Sequence, residues 1–228
     1  MIKPYQVLAT DYDGTLAHHG VVSRETLAAI ERMRAAGKTL VLVTGRELEE
    51  LKQVFPDIGL CDLVVAENGA LLYWPGTEQM KLLGEPAPPA FVEKLRDKGV
   101  PVSVGRVIVA TVEPHEIVVL QTIKEMELEL EMIFNKGCVM ILPTGLNKAT
   151  GLREGLARIG LSTRYTIGVG DAENDHAFLR ICGCGVAVAN ALPALKSRAE
   201  FVTARPHGEG VTELIDQLLA NNFQPDSG

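Results

Sequence analysis

The stretch Asp11-Tyr12-Asp13-Gly14-Thr15 decides how this chain is read. It is entered from the apolar run Val7-Leu8-Ala9, which reads as a buried strand. Two carboxylates one residue apart leave that strand and enter a glycine turn. In a strand, residues i and i+2 point to the same side. Asp11 and Asp13 are therefore expected close together at the strand end, where like charges raise each other's pKa. Such a pair needs a nearby cation, or its repulsion serves acid–base chemistry. A solvated acidic loop is the bland alternative. The apolar approach and Gly14 favour a phosphate or metal turn instead.

Outward from this stretch, strands and helices alternate. Ser23 stands where an N-cap belongs, before a helix to about Ala36 with Leu27, Ile30 and Met33 along one face and Gly37 ending it. Residues 39–43 form the next strand. Thr44-Gly45-Arg46 follows, then a helix over about 47–55 for which Thr44 and Glu47 have capping-box spacing. A third strand over 63–66 ends in Glu67-Asn68-Gly69-Ala70. Strands apolar throughout and separated by helices indicate a parallel sheet covered on both faces.

The rhythm changes near Trp74-Pro75-Gly76, and Glu85-Pro86-Ala87-Pro88-Pro89 reads as a linker. A helix over 89–98 follows. Residues 102–112 are β-rich with a break at Gly105-Arg106, and Pro114 opens a helix to about Met126. Two strands then flank Asn135-Lys136-Gly137. This is a small α+β unit with an antiparallel sheet. From Pro143 the first rhythm returns. Asn147-Lys148 opens a helix, and a strand over 165–169 ends in Gly170-Asp171. A helix over 174–182, a strand over 185–188, a short helix, a short strand at Phe201-Val202 and a last helix over 210–219 complete it. A frayed tail is expected from Asn221. The division expected is a core of residues 1–81 and 143–228, interrupted by an insertion over 82–142.

With 228 residues, 46% hydrophobic and 22% charged, the chain has the composition of a soluble globular protein that needs no staples. A net charge of −7 with no basic block argues against nucleic-acid binding. No apolar run approaches the roughly 18 residues of a membrane span, and the start lacks the apolar region of a signal peptide. Cys61, Cys138, Cys182 and Cys184 form no Cys-x-x-Cys pair. They read as reduced thiols, and the protein as cytoplasmic.

In open parallel sheets, ligands bind beyond the carboxyl ends of the strands. Those ends carry Asp11 and Asp13, Thr44 and Arg46, Glu67 and Asn68, and Asp171 followed by Asn174 and Asp175; Lys148 starts a helix in the second half. If the two Asp-bearing strands are neighbours, Asp11, Asp13, Asp171 and Asp175 make a four-carboxylate cluster. An all-oxygen cluster of that kind favours Mg²⁺. Lys148 is then the main cation for an anionic substrate.

Asp11-x-Asp13-Gly14-Thr15, Thr44-Gly45-Arg46, Lys148 and Gly170-Asp171-x-x-Asn174-Asp175 occur in the order of the four motifs of haloacid-dehalogenase-like phosphatases. The chain resembles that family over nearly its whole length. Glu67-Asn68-Gly69-Ala70 also resembles the Cof-type branch, which inserts its cap between the second and third motifs. A cap of about sixty residues is short for the branch, as in archaeal-type phosphoglycolate phosphatases, and less like sucrose-phosphate phosphatases. The resemblance implies an α/β fold: a Rossmann-like parallel sheet core with helices on both faces and an inserted small α+β cap. It implies a Mg²⁺-dependent phosphatase acting on a small phosphomonoester such as phosphoglycolate or a sugar phosphate. Asp11 would be the nucleophile and Asp13 the acid–base. Thr44, Gly45, Lys148 and Asn174 would bind substrate. Asp11, the main-chain carbonyl of Asp13, Asp171 and Asp175 would hold the metal or its water. A sugar phosphomutase and a non-catalytic phospho-ligand-binding module are the alternatives.

Each of these residues also has a plainer reading. Lys148 alone would be a surface residue at a helix start, Asp171 a helix cap, and Thr44 an N-cap. Arg46 reads equally as a salt-bridge partner or a substrate ligand. His18, His19 and His176 read as solvent-facing, and His207-Gly208-Glu209-Gly210 as a loop. Arg106 and Lys136 on the cap read as solvated surface, or as the groups that meet the leaving group.

Overall fold

Strand β1 (Val7–Thr10) is buried at all four positions. Successive strand side chains point to opposite faces, so both faces must be covered there. The computed structural model, which describes residues 5–223, supplies that cover. Helix α1 (Arg24–Ala35) starts at Ser23, whose side chain accepts from the Thr26 N–H, and it buries Ala29, Ile30 and Met33. Strand β2 (Thr39–Val43), helix α2 (Leu48–Val54) and strand β3 (Leu63–Ala66) follow. β1 pairs in parallel with β2, and β2 with β3.

Two strands that the sequence pattern does not announce come next. β4 (Leu71–Trp74) pairs antiparallel with β3, and β5 (Gln79–Leu82) antiparallel with β4, so a hairpin extends the main sheet. β5 is the edge and is exposed throughout. The chain then builds a second sheet. Helix α3 (Pro89–Asp97), strands β6 (Ser103–Val104) and β7 (Val109–Val112), helix α4 (Glu116–Glu125), and strands β8 (Leu130–Asn135) and β9 (Cys138–Pro143) form it. Its strand order is β6-β7-β9-β8, all antiparallel. Pro114 does not open α4: the helix begins two residues later, after His115. Phe91, Leu95, Val109, Val119, Ile123 and Ile141 give this unit its own small core. Fully burying each such side chain is worth about 1.5–3 kcal/mol.

Helix α5 (Lys148–Arg158) returns the chain to the main sheet through a capping box between Asn147 and Thr150. Strand β10 (Thr166–Gly170), helix α6 (His176–Ile181), strand β11 (Cys184–Ala187), helix α7 (Pro193–Lys196), strand β12 (Phe201–Val202) and helix α8 (His207–Asn221) complete it. The main sheet runs β12-β11-β10-β1-β2-β3-β4-β5. Its first six strands are parallel, as a sheet buried on both faces requires. β1 lies beside β10, with Thr10 opposite Val169, so the two Asp-bearing strand ends are neighbours.

Three boundaries differ from the sequence pattern. Asn174 and Asp175 lie in a 3₁₀ turn, and α6 starts only at His176. α8 starts at His207 instead of Gly210, so the expected loop is its first turn. Fraying does not begin at Asn221, which is still helical. Phe223 is 2% exposed and packs on Tyr5 and Phe201. Residues 1–4, read above for a leader, and tail residues 224–228 lie outside the described chain. Among the described residues, no helix is long and apolar enough to cross a membrane.

Candidate active site

Asp11 follows the last residue of β1 and is buried, 5% exposed. Tyr12 points the other way into the core, its ring tilted against Phe55 and its hydroxyl donating to the Gly20 carbonyl at 2.9 Å. That anchor turns Asp11 and Asp13 toward the cavity. Gly14 has φ +87°, and a Cβ there would strike the Asp171 carboxylate. The turn therefore brings backbone against the second acidic strand in a way only glycine allows.

Lys148 is 1% exposed and sits between two carboxylates, with Nζ donating to Asp11 Oδ1 and to Asp175 Oδ1, both at 2.6 Å. A buried ammonium needs such partners. Burial pulls the Lys148 pKa down, but the charges of Asp11 and Asp175 outweigh it and hold it above its ordinary value. Burial pushes the Asp11 pKa up, and Lys148 works against that rise. Asp175 Oδ2 accepts from the Asp171 and Ala172 N–H groups at 2.8 and 3.0 Å. Both of its oxygens are thus used in bracing. Asp171 accepts from Thr15 Oγ1 at 3.3 Å and from Lys136 Nζ at 2.6 Å. Burial raises its pKa, against the pull of Lys136.

Of the four carboxylates expected together, three gather. Asp11, Asp171 and Asp175 present oxygens all within 4.8 Å of one another. The Asp13 carboxylate turns away and pairs with Arg46, which donates from Nε to Oδ2 at 2.6 Å and from Nη2 to Oδ1 at 2.8 Å. Arg46 also contacts Glu50. Arg46 is thus an ion-pair partner within the site, the first of its two sequence readings. An all-oxygen, buried, acidic trio suits a hard divalent cation.

Thr44 is not the partner of Glu47 in a capping box. Glu47 is itself the N-cap of α2 without a side-chain cap, and it accepts from Ser103 Oγ at 2.5 Å instead. Thr44 Oγ1 accepts from the Arg46 N–H at 3.1 Å, so its own proton is free for an anion. Asn174 Nδ2 donates to Asn68 Oδ1 at 3.1 Å. Asp11, Asp13, Thr44, Gly45 and Asn174 line a cavity of about 320 Å³. The second sheet closes it from above with Ser103, Ile108, Ala110, Asn135, Cys138 and Met140.

Other site residues carry little local signal. Glu67 is 1% exposed and accepts from the Arg106, Val107 and Ile108 N–H groups at 2.9, 2.7 and 2.9 Å, tying the two sheets together. Its place at a strand end and the Glu-Asn-Gly-Ala motif marked Glu67 in the sequence, but not this role. Arg106 itself reaches Glu49 at 3.0 Å, at the rim. His207 Nδ1 lies 2.9 Å from the Gly14 carbonyl, and its ring stacks on His18 at 4.2 Å, so His18 is not simply solvent-facing.

A sequence profile of haloacid dehalogenase-like hydrolases matches residues 8–106 and 110–215. The chain belongs to this family of hydrolases. It is 33% identical over 224 residues to phosphoglycolate phosphatase 2 of Saccharolobus solfataricus, covering 95% of this chain and 94% of the relative. It is 29% identical over 222 residues to the phosphoglycolate phosphatase of Methanothermobacter thermautotrophicus, covering 94% and 99%. The fold matches a haloacid dehalogenase-like hydrolase from Bacteroides thetaiotaomicron with a TM-score of 0.80 at 19% identity, over 94% of this chain and 99% of that one. A subclass IIB sugar phosphatase matches with a TM-score of 0.74 at 22% identity, over 93% and 98%.

Proposed function

We propose that the chain is a Mg²⁺-dependent phosphatase of a small phosphomonoester, phosphoglycolate or a sugar phosphate. The observation that carries this reading is the unequal treatment of two neighbouring carboxylates. Asp11 is buried on Lys148, while Asp13 is held apart by Arg46 beside the same cavity. A nucleophile and an acid–base need that separation. The relatives named phosphoglycolate phosphatase support the substrate class.

In this mechanism an Asp11 oxygen attacks phosphorus, and the ester P–O bond breaks. Asp13, taking up a proton from solvent as it leaves Arg46, gives that proton to the departing oxygen. Water then attacks the aspartyl-phosphate, its proton passes to Asp13, and inorganic phosphate leaves the regenerated Asp11. Lys148 spends two of its three N–H donors on Asp11 and Asp175, and the third serves a phosphoryl oxygen. The Thr44 hydroxyl, the Gly45 backbone and Asn174 serve the others. Asp11 and Asp171 would hold the metal with the Asp13 carbonyl, braced by Asp175. When bound, it supplies charge neutralisation where carboxylate meets phosphate. The insertion over 82–142 acts as the cap. Four free cysteines suit a reducing compartment such as the cytoplasm.

The test is phosphate release from a panel of phosphomonoesters with Mg²⁺ and with chelator. Mg²⁺-dependent release is expected. No release from any ester would sink the reading. Isomer exchange without release would favour a mutase, and tight binding without turnover a binding module.

A further inference from the structure

Resting on the phosphatase reading, we propose that Lys136 reads a carboxylate on the leaving group, which makes the substrate a short phosphorylated hydroxy acid and not a sugar phosphate. Lys136 and Gly137 form the two-residue turn between β8 and β9, where Asn135 pairs with Cys138. Both have positive φ, +50° and +79°, as a tight hairpin of this twist requires. The turn fixes where the lysine leaves the second sheet, and its ammonium crosses to Asp171 of the first, at 2.6 Å.

Three side-chain cations belong to this centre, and they differ in what they can still do. Lys148 is sealed between Asp11 and Asp175. Arg46 is spent on Asp13 and Glu50. Lys136 has one hydrogen-bond acceptor among the described residues, and its side chain is 45% exposed. When its ammonium turns to a ligand, Asp171 keeps the Thr15 hydroxyl, and Lys136 is the most exposed of the three. Its neighbours Asn135 and Cys138 already line the cavity, so the swing is short.

The rest of the cavity roof decides between acid and sugar. Ile108, Ala110 and Met140 are apolar. Ser103 gives its proton to Glu47, and the Cys138 thiol faces the Thr111 carbonyl at 3.6 Å. The Asn135 amide is the remaining polar group, with Oδ1 buried and unpartnered among the described residues. A sugar buries several hydroxyls, each needing a partner. This roof offers almost none. A two- or three-carbon acid needs one cation and little else. Glu47 and Glu50 also line the cavity, and both are engaged, by Ser103 and Arg46.

The experiment compares wild type, Lys136→Met and Lys136→Arg on 2-phosphoglycolate and on 2-hydroxyethyl phosphate, which replaces the carboxylate by CH₂OH. The expected result is a loss of roughly tenfold or more in kcat/KM for phosphoglycolate in Lys136→Met, through KM, as for one charged hydrogen bond. The neutral ester should lose clearly less, since there only the Lys136–Asp171 contact is missing, so the ratio of the two kcat/KM values falls, and Lys136→Arg should restore part of that ratio. Equal losses on both esters, or none on either, overturn the assignment while leaving the phosphatase reading intact. A wild type that cleaves sugar phosphates but neither of these esters overturns the assignment alone, and one that cleaves no phosphomonoester takes down both.

Discussion

The Arg46 guanidinium holds the Asp13 carboxylate with two parallel hydrogen bonds, at 2.6 and 2.8 Å. The fork geometry fits both carboxylate oxygens at once. It answers the question posed by two aspartates one residue apart. One carboxylate is drawn sideways while the other stays on Lys148, so they do not share a charge centre. If Asp13 is the acid–base, its orientation depends on Arg46. Arg46→Lys is expected to lower kcat by about tenfold with little change in KM, because lysine cannot hold both oxygens. Steady-state kinetics on any accepted ester checks it. A pure KM effect would return Arg46 to the role of substrate ligand.

Asp11→Asn keeps the shape of the site and removes the nucleophilic oxygen. Turnover should fall by at least about 10³-fold, with the circular dichroism spectrum unchanged. Activity near wild type would rule out the nucleophile assignment.

Lys148→Met leaves the Asp11 and Asp175 carboxylates buried without their ammonium. Breaking a buried pair from one side costs about 3–5 kcal/mol. Urea unfolding at pH 7 should therefore show a large loss of stability besides the loss of activity. A variant as stable as wild type would mean that the pair is already solvated.

How much of this was readable in advance follows from where the information lies. β1, β2, β3, β10 and β11 are legible because a strand buried on both faces is apolar at nearly every position. Asp11, Thr44, Lys148, Asp171 and Asp175 are legible because they sit at strand or helix ends, at motif spacings. β5 is not, since Gln79-Met80-Lys81-Leu82 lies exposed at an edge and owes its pairing to β4. The Thr44–Glu47 spacing fits a capping box, yet Thr44 belongs to the cavity and Glu47 to the facing sheet's Ser103. Arg46 on Asp13 and Lys136 on Asp171 are 33 and 35 residues apart in sequence, and no local pattern encodes such a meeting.

Glu67 holds the facing loop by its backbone, from a left-handed position, φ +51°, that a non-glycine residue occupies only under constraint. Val107 and Ile108, two of the three donors, are 1% exposed. Glu67→Ala strands those N–H groups, at about 1–3 kcal/mol for each buried donor left unpaired. The expected outcome is faster protease cleavage within residues 82–142 and a raised KM, since Ile108 lines the cavity. Unaltered cleavage and KM would mean that the apolar contacts of Val107, Ile108, Met140 and Leu142 hold the two sheets together unaided.

Glu125 joins α4 to α3 by accepting from Lys94 and Lys98, both at 2.9 Å. Hydrogen bonds from Lys98 and Lys94 lower its pKa from 4.5 to about 2. A carboxyl with a depressed folded pKa binds fewer protons folded than unfolded, so stability rises with pH between the two values. Its contribution is complete above about 4.5 and is lost as pH falls toward about 2. Comparing Glu125→Gln with wild type cancels the other titrating groups. The melting-temperature gap should be constant from pH 7 to about 5 and close between about 4.5 and 2. The gap should also shrink in high salt, because the pair is solvent-exposed. A gap that persists undiminished at the acid end would show that Glu125 acts through packing and not through its charge.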